Sequence, residues 1–208
     1  MAPLALAAKA FLTLFVVMDP VGLGPVFLAL AGDRTPEEQR AIAARAVGLA
    51  AGLLAFFGLF GAPLLAYLGI GLGAFRVAGG LLLFKIAVDM VFASRVRETP
   101  EEEEEARVRE DISVFPLAIP LLVGPGAMAS ILVLAAEAKG VPGGPLWLAA
   151  AAGAVLLLAY LALLLAGAIA RGLGRTGVNV VTRVLGVLLA ALAVQYVFDG
   201  VWAYFVRG

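Results

Sequence analysis

An acidic residue inside an apolar run constrains this chain more than any other feature of its sequence. The run extends over residues 4–31, and a bilayer span needs about 20 apolar residues. Asp19 lies near its centre, and two prolines and two glycines follow it: Pro20, Gly22, Gly24 and Pro25. Interior proline removes a backbone donor, and glycine disfavours helix. A helix broken at membrane depth is tolerated only where protein or a water-filled cavity satisfies the freed backbone groups. We therefore expect a broken helix that forms half of a substrate site.

The composition indicates an integral membrane protein. The mean hydropathy is +1.05, and 14% of the 208 residues are charged, against about 25% in soluble domains. The net charge is zero, which gives no electrostatic reason to expect a nucleic-acid partner; the lipid bilayer is the expected partner. The chain has no cysteine or histidine, which excludes disulfides, thiolate or imidazole metal ligands and Ser-His-Asp triads. No metal site or cofactor is predicted, and the coupling ion of a transporter would be a proton or Na+.

Six segments are long and apolar enough to be spans, which predicts an all-α membrane protein. The segments cover about 4–31, 41–66, 72–93, 112–137, 146–170 and 178–205. The sequence predicts a first three-helix unit over 1–93, a charged linker over 94–111 and a second three-helix unit over 112–208. Between the first two spans, Thr35, Pro36 and Glu38 have the spacing of a capping box at a helix start.

Basic residues predict the orientation of the spans. Nine arginines lie in or beside the loops after spans one, three and five, at 32–40, 94–111 and 171–177. By the positive-inside rule these three loops are cytoplasmic, and both termini lie outside the inner membrane.

The two halves of the chain resemble each other. Asp19-Pro20-Val21-Gly22 corresponds to Gly124-Pro125-Gly126-Ala127 at an offset of 105 residues, and the segment from Arg76 corresponds to that from Arg183 at an offset of 107. With three spans in each half, the second half enters the membrane from the opposite side. This predicts a 3+3 inverted repeat with discontinuous helices 1 and 4, an arrangement typical of transporters. The alternative is a coincidence among Gly-rich and Leu-rich segments.

The two breaks offer complementary chemistry. An intramembrane carboxylate such as Asp19 is a candidate for binding a substrate ammonium group, a coupling cation or a proton; the alternative is an N-cap for a half-helix that begins at Pro20. A half-helix beginning at Pro125 would present backbone N–H groups that suit a carboxylate, unless the span is merely kinked. The candidate substrate-binding residues are Asp19, Pro20, Gly22, Gly24, Gly124, Pro125, Gly126, Arg76 and Arg183.

The positions of four charged residues in the spans can also be explained without a role in substrate binding. Arg76 and Arg183 either extend their guanidinium groups to the membrane surface or form ion pairs, Arg76 with Asp19. Lys85 and Asp89 are four residues apart on the third span and are expected to neutralise each other near its cytoplasmic end.

The motifs as a set resemble the MarC family of bacterial and archaeal inner-membrane proteins, over essentially the whole chain. The motifs are Asp19-Pro20-Val21-Gly22 with Pro25 and Phe27, Leu68-Gly69-Ile70, the run from Phe75 to Phe84, Pro116 to Leu121 with Gly124-Pro125-Gly126, and Arg183-Val184-Leu185-Gly186 with Gln195. The resemblance implies six spans and a place near the lysine-exporter superfamily, and some family members are described as small neutral amino-acid transporters. Leu23 departs from the family, in which an asparagine is common shortly after the Asp-Pro motif.

These observations predict a secondary transporter of small neutral amino acids or similar zwitterions, driven by an ion gradient because the chain has no nucleotide-binding motif. The alternatives are a channel or an accessory membrane subunit. An intramembrane enzyme is disfavoured, since such enzymes usually cluster several acids, histidines or cysteines at depth. A homo-oligomer is left open.

Overall fold

Every regular element of the described chain is a helix. The computed structural model describes residues 2–92 and 112–207, apart from the side chains of residues 175, 206 and 207. In chain order the helices are α1 (Pro3–Met18), α2 (Pro20–Ala31), α3 (Pro36–Tyr67), α4 (Leu72–Phe92), α5 (Pro125–Ala138), α6 (Gly144–Leu164) and α7 (Ala166–Arg207), with an irregular segment, Ser113–Leu122, before α5. The linker predicted over 94–111 lies outside the described residues.

Local capping explains where α3 begins. The Thr35 hydroxyl accepts a hydrogen bond from the Glu38 backbone N–H at 3.3 Å, and the Glu38 carboxylate accepts one from the Thr35 backbone N–H at 2.8 Å. Pro36 occupies the first helical position, where its missing donor costs nothing. The predicted capping box is confirmed, but the predicted loop over 32–40 is too long, because α3 already begins at Pro36.

The described helices confirm the prediction of a multi-pass membrane protein in part. By length and composition, four helices can cross a membrane in the described ranges: Pro3–Ala31 taken as one unit, Pro36–Tyr67, Gly144–Leu164 and Thr176–Phe205. A fifth results if Ser113–Leu122 and Pro125–Ala138 form one span bent by 59°. The predicted third span coincides with α4, whose 21 residues include three charged ones spread along its length. Charged side chains within a span raise the cost of its insertion into lipid.

The predicted loop over 171–177 is wrong. Those residues belong to α7, which departs from helical geometry only at Gly174, with φ 63° and ψ 175°. This backbone conformation is accessible essentially to glycine alone. The residues on either side, including Gly172 and Gly177, remain helical, so one residue redirects the chain where a longer loop was expected.

Helices α4 and α7 pack closely and antiparallel. A Cβ atom added at Gly200, late in α7, would lie 2.6 Å from the carbonyl oxygen of Gly73, early in α4. At the other end, a Cβ atom at Gly186 would lie 3.1 Å from the carbonyl oxygen of Ala87. Small residues at such contacts let two backbones approach within a membrane. These helices are equivalent members of the predicted inverted repeat, which itself remains a prediction.

The centre of the molecule is formed by α1, α2 and α5, and the other helices surround it. Leu14, Phe27 and Leu134 are fully buried there. Large apolar side chains on the outer faces of α3, α4, α6 and α7 are exposed, among them Leu59, Phe84, Leu157 and Phe198. Extended apolar surface of this kind is expected of a protein in contact with lipid.

Candidate functional site

The first break is confined to one residue. Asp19 separates α1 from α2 with φ 43° and ψ 63°, a left-handed conformation that aspartate tolerates better than most residues. Its N–H donates to the Phe15 carbonyl at 3.0 Å, and its carbonyl accepts from the Leu23 N–H at 3.1 Å. Pro25 lies inside α2. The expectation that the whole Pro- and Gly-rich stretch would interrupt the helix is therefore wrong, because the backbone returns to helical geometry at Pro20.

The Asp19 carboxylate is buried and held from two elements. One oxygen accepts a hydrogen bond from the Gly22 backbone N–H at 3.1 Å, which is the predicted N-cap of α2. The other accepts from the Thr182 hydroxyl on α7 at 3.3 Å. The residue is only 3% exposed. The cap therefore also fixes a carboxylate deep in the molecule.

Gly22 leaves room for this arrangement. A Cβ atom at that position would collide with the Asp19 carboxylate and would lie 3.0 Å from the Thr182 hydroxyl oxygen. A larger residue would therefore displace either the carboxylate or α7.

The second break is longer and has a different character. Within Ser113–Leu122, Phe115 and Ile119 have extended backbone geometry, and each precedes a cis proline. Gly124 then precedes α5 without a side-chain cap. The first N–H groups of any α-helix have no partner within the helix, so the start of α5 presents backbone donors.

The two breaks line one cavity, which we call the central cavity. Its volume is about 270 Å³. The first break contributes Asp19 and Gly22, and the second contributes Gly124, Pro125 and Gly126. Residues about 105 positions apart in the sequence thus meet at one space inside a bundle of apolar helices.

Five of the nine predicted binding residues line the central cavity, namely Asp19, Gly22, Gly124, Pro125 and Gly126. Pro20 and Gly24 are buried in α2 but are not part of the lining. A Cβ atom at Gly24 would lie 3.6 Å from the Cβ atom of Ala166, which is an ordinary contact distance, so Gly24 faces the start of α7 and not the cavity.

The two predicted arginines lie elsewhere. Arg76 does not line the central cavity, and its guanidinium group lies 3.4 Å from the carboxylate of Glu137 on α5. Glu137 also binds the Lys9 ammonium group on α1 at 2.8 Å. The structure thus gives Arg76 a different partner from the predicted Asp19. Arg183 is exposed on α7 and is not among the lining residues.

Sequence reasoning missed four polar residues of the lining, namely Lys85, Asp89, Asn179 and Thr182. The predicted ion pair is confirmed, with 2.8 Å between the Lys85 ammonium nitrogen and an Asp89 oxygen, but its place beside the cavity was not foreseen. Thr182 precedes Arg183 of the repeat motif, and that neighbourhood is the one signal that could have pointed to it. Asn179 carries no comparable signal.

The central cavity combines both signs of charge. Asp19 and Asp89 contribute carboxylates, whereas Lys85 contributes an ammonium group. The N-terminus of α5 adds a partial positive charge through its helix dipole. Such a lining can bind the two ends of a small ligand that carries opposite charges.

Comparisons with known proteins agree with an integral membrane protein. Residues 4–205 match the family described as MarC family integral membrane protein. The chain is 40% identical to a UPF0056 membrane protein of Aquifex aeolicus over 94% of its own length and 92% of the relative's. It is 36% identical to the UPF0056 membrane protein YvbG of Bacillus subtilis, with 94% and 93% coverage, and 33% identical to YhcE of Escherichia coli, with 95% and 92% coverage.

Relatives of this kind occur in archaea as well, and a UPF0056 membrane protein of Archaeoglobus fulgidus is 36% identical over 92% of this chain and 90% of its own. No solved structure matches the chain. The family match covers nearly all of the sequence, including both breaks and every described helix that lines the central cavity. The chain therefore belongs to the MarC family of integral membrane proteins.

Proposed function

We propose that this protein is a secondary transporter of small neutral amino acids or similar zwitterionic metabolites, and not an enzyme. The observation that supports the proposal best is that both helix breaks line one central cavity of about 270 Å³. In this scheme Asp19 binds the substrate ammonium group, and the backbone N–H groups at the start of α5 bind its carboxylate.

The backbone supports an inverted repeat, which is the framework on which the proposal rests. Pro20 and Pro125, 105 residues apart, each occupy the first position of a helix at a break. Gly69 and Gly174, also 105 residues apart, both have positive φ, at 69° and 63°. Equivalent breaks and turns at one offset favour a repeat over coincidence, and transporters built this way place the substrate between the repeats.

The same scheme has the central cavity open to the cytoplasm. Lys85 and Asn179, which line it, are exposed. Lys85 lies two turns before the end of α4, and the linker that follows α4 in the sequence is cytoplasmic according to the arginine pattern. In the proposed topology both termini therefore lie on the outer side of the inner membrane. The regions 32–40, 94–111 and 171–177 lie on its cytoplasmic side.

An ion gradient is the proposed energy source. Asp19 is a carboxylate fixed at the site by Gly22 and Thr182, and a carboxylate in this position can exchange a proton or bind Na+ together with the substrate. Substrate transport is coupled to the ion gradient if one ion must occupy the site for each substrate molecule that is carried.

Transport assays in proteoliposomes test the proposal directly. Purified protein reconstituted without other components should accumulate labelled alanine or glycine when a proton or Na+ gradient is imposed. Protein-free liposomes give the background. Failure to take up or exchange any small neutral amino acid, under either gradient and in either direction, would remove the proposed activity.

A further inference from the structure

We propose that Lys85, held by Asp89, recognises the substrate carboxylate and gives the central cavity its preference for zwitterions over cationic amines. This inference rests on the proposed function, because it concerns the same site. It assigns a task to two residues whose spacing alone suggested only mutual neutralisation.

The packing of α5 against α4 brings Lys85 to the same wall of the cavity as the backbone donors at the start of α5. A Cβ atom at Gly126, in the first turn of α5, would lie 2.8 Å from a Leu83 methyl carbon and 3.0 Å from an Ile86 methyl carbon. Lys85 lies between these two contact residues in sequence and lines the central cavity itself. The Lys85 ammonium group and the N-terminus of α5 therefore share one wall of the cavity, which the Asp89 carboxylate lines as well.

The buried carboxylate of the site, that of Asp19, belongs to a different pair of helices. Asp19 begins α2, and its carboxylate accepts a hydrogen bond from Thr182 on α7 at 3.3 Å. A ligand between the two walls would meet the Asp19 carboxylate on one side. On the other side it would meet the Lys85 ammonium group, with the Asp89 carboxylate beside it, and the partial positive charge at the N-terminus of α5. Charge on both walls selects against ligands that carry only one sign, because the unmatched group loses its hydration without gaining a partner.

The ion pair with Asp89 leaves Lys85 able to exchange partners. The two side chains are 68% and 30% exposed, and such solvent-screened pairs contribute little to stability. The lysine stem is flexible, and its ammonium group has three donors. A substrate carboxylate can therefore attract this ammonium group at low cost, while Asp89 keeps the lysine at the cavity wall when no substrate is bound.

Three ligands with the same methyl side chain separate the charges that the site would recognise. Alanine is a zwitterion, alaninamide has only the ammonium group, and propionate has only the carboxylate. Two readouts are measured for each: competition with labelled alanine uptake in proteoliposomes, and stabilisation of the purified protein against thermal unfolding. The wild type should prefer alanine over both analogues.

Lys85→Met should lower the apparent affinity for alanine several-fold, because the substrate carboxylate loses a charged partner, and it should not lower the affinity for alaninamide, which has no carboxylate. Lys85→Arg retains the positive charge and should recover most of the preference. Asp89→Asn should act in the opposite direction, so that propionate becomes a competitor. Lys139→Met is the matched control, because Lys139 is exposed beyond α5 and does not line the cavity.

The outcomes distinguish this inference from the proposed function. Normal uptake with an unchanged ligand preference in both Lys85→Met and Asp89→Asn would overturn the inference and leave the transporter in place. Absence of uptake in the wild type, combined with the expected shifts in thermal stabilisation, would support the binding assignment and refute transport. Wild-type protein that none of the three ligands stabilises or competes with would overturn the inference as well.

Discussion

Asp19 combines two tasks in one side chain. It caps α2 through the Gly22 N–H at 3.1 Å and presents a buried carboxylate to the central cavity. A left-handed backbone is costly for most residues, but aspartate and asparagine tolerate it, and the cap offsets part of that cost. The hydrogen bond that caps α2 thus also fixes the position of the carboxylate. Because an uncharged oxygen can accept the same bond, a mutation can remove the charge of Asp19 and keep the cap.

Asp19→Asn should preserve the fold and abolish the proposed transport. Asparagine caps helices about as well as aspartate and tolerates the same backbone, so the thermal midpoint should change little, whereas the charge at the cavity is lost. Uptake assays and thermal unfolding should be measured side by side. Asp19→Ala is the comparison variant, and it should lower stability by about 1 kcal/mol through the lost cap. Undiminished uptake by Asp19→Asn would exclude the carboxylate from the mechanism.

Gly22→Ala should damage both stability and uptake. The added methyl group would collide with the Asp19 carboxylate and approach the Thr182 hydroxyl oxygen to 3.0 Å, and overpacking of this kind typically costs about 1–3 kcal/mol. Gly48→Ala in α3 is the control, because a Cβ atom there would have no neighbour within 4 Å. The control should be neutral or slightly stabilising, since alanine favours helix. Equal thermal midpoints for the two variants would contradict the tight fit at Gly22.

Among the helices, Glu137 joins three elements that lie far apart in sequence. Its carboxylate contacts Lys9 of α1 at 2.8 Å and Arg76 of α4 at 3.4 Å, and Glu137 itself lies near the end of α5. Both the Glu137 and the Arg76 side chains are 18% exposed, so solvent screens this cluster less than a surface pair. One carboxylate therefore compensates two cations within a largely apolar bundle.

Glu137→Ala should lower the stability of the helix bundle by about 1–3 kcal/mol, because it leaves two part-buried cations uncompensated; this cost lies between that of an exposed pair and that of a fully buried pair. Glu137→Gln keeps a hydrogen-bond acceptor and should cost less. Asp199→Asn serves as the control, since Asp199 accepts an exposed hydrogen bond from Gln195 on α7, and it should leave the thermal midpoint unchanged. Should Glu137→Ala unfold at the wild-type temperature, the cluster would have no role in holding the helices together.

Gly200→Ala should loosen the contact between α4 and α7. A methyl group there would approach the Gly73 carbonyl oxygen to 2.6 Å and a Val77 methyl carbon to 2.8 Å, and the first of these is a backbone atom that cannot rotate away. We expect a destabilisation of about 1–3 kcal/mol in thermal unfolding. Gly153→Ala in α6, with no neighbour within 4 Å of the added carbon, should be tolerated. Comparable stability of the two variants would show that the helices can separate without cost.

For the molecule as a whole, local contacts and the meeting of the two breaks could be predicted from the sequence, and the other distant contacts could not. The capping box at Thr35, the cap by Asp19 and the Lys85–Asp89 pair all join residues three or four positions apart, where helix geometry alone dictates the contact. Thr182 meets Asp19 across 163 positions, and Lys9 meets Glu137 across 128. Those contacts depend on how whole helices pack, which the pattern of apolar residues does not specify.

The proposed orientation can be tested by labelling single cysteines, since the chain has none of its own. Asn179→Cys, at the exposed edge of the central cavity, should react with a membrane-impermeant maleimide only from the cytoplasmic side. Lys139→Cys, in the turn between α5 and α6, should react only from outside. Labelling of both positions from the same side of sealed vesicles would contradict the proposed topology. Reversed labelling would keep the fold and invert the orientation.

The unequal character of the two breaks has a consequence for genetics. At the first, recognition is assigned to the carboxylate of Asp19, which a single codon change removes. At the second, it is assigned to main-chain N–H groups at Gly126 and Ala127, which almost every amino acid supplies equally. A saturation mutagenesis screen should therefore find position 19 intolerant to nearly all replacements. At the second break the screen should find loss of function mainly for residues that are too large and for proline, which lacks the N–H group. The second break itself would therefore be indistinguishable from a packing contact in such a screen.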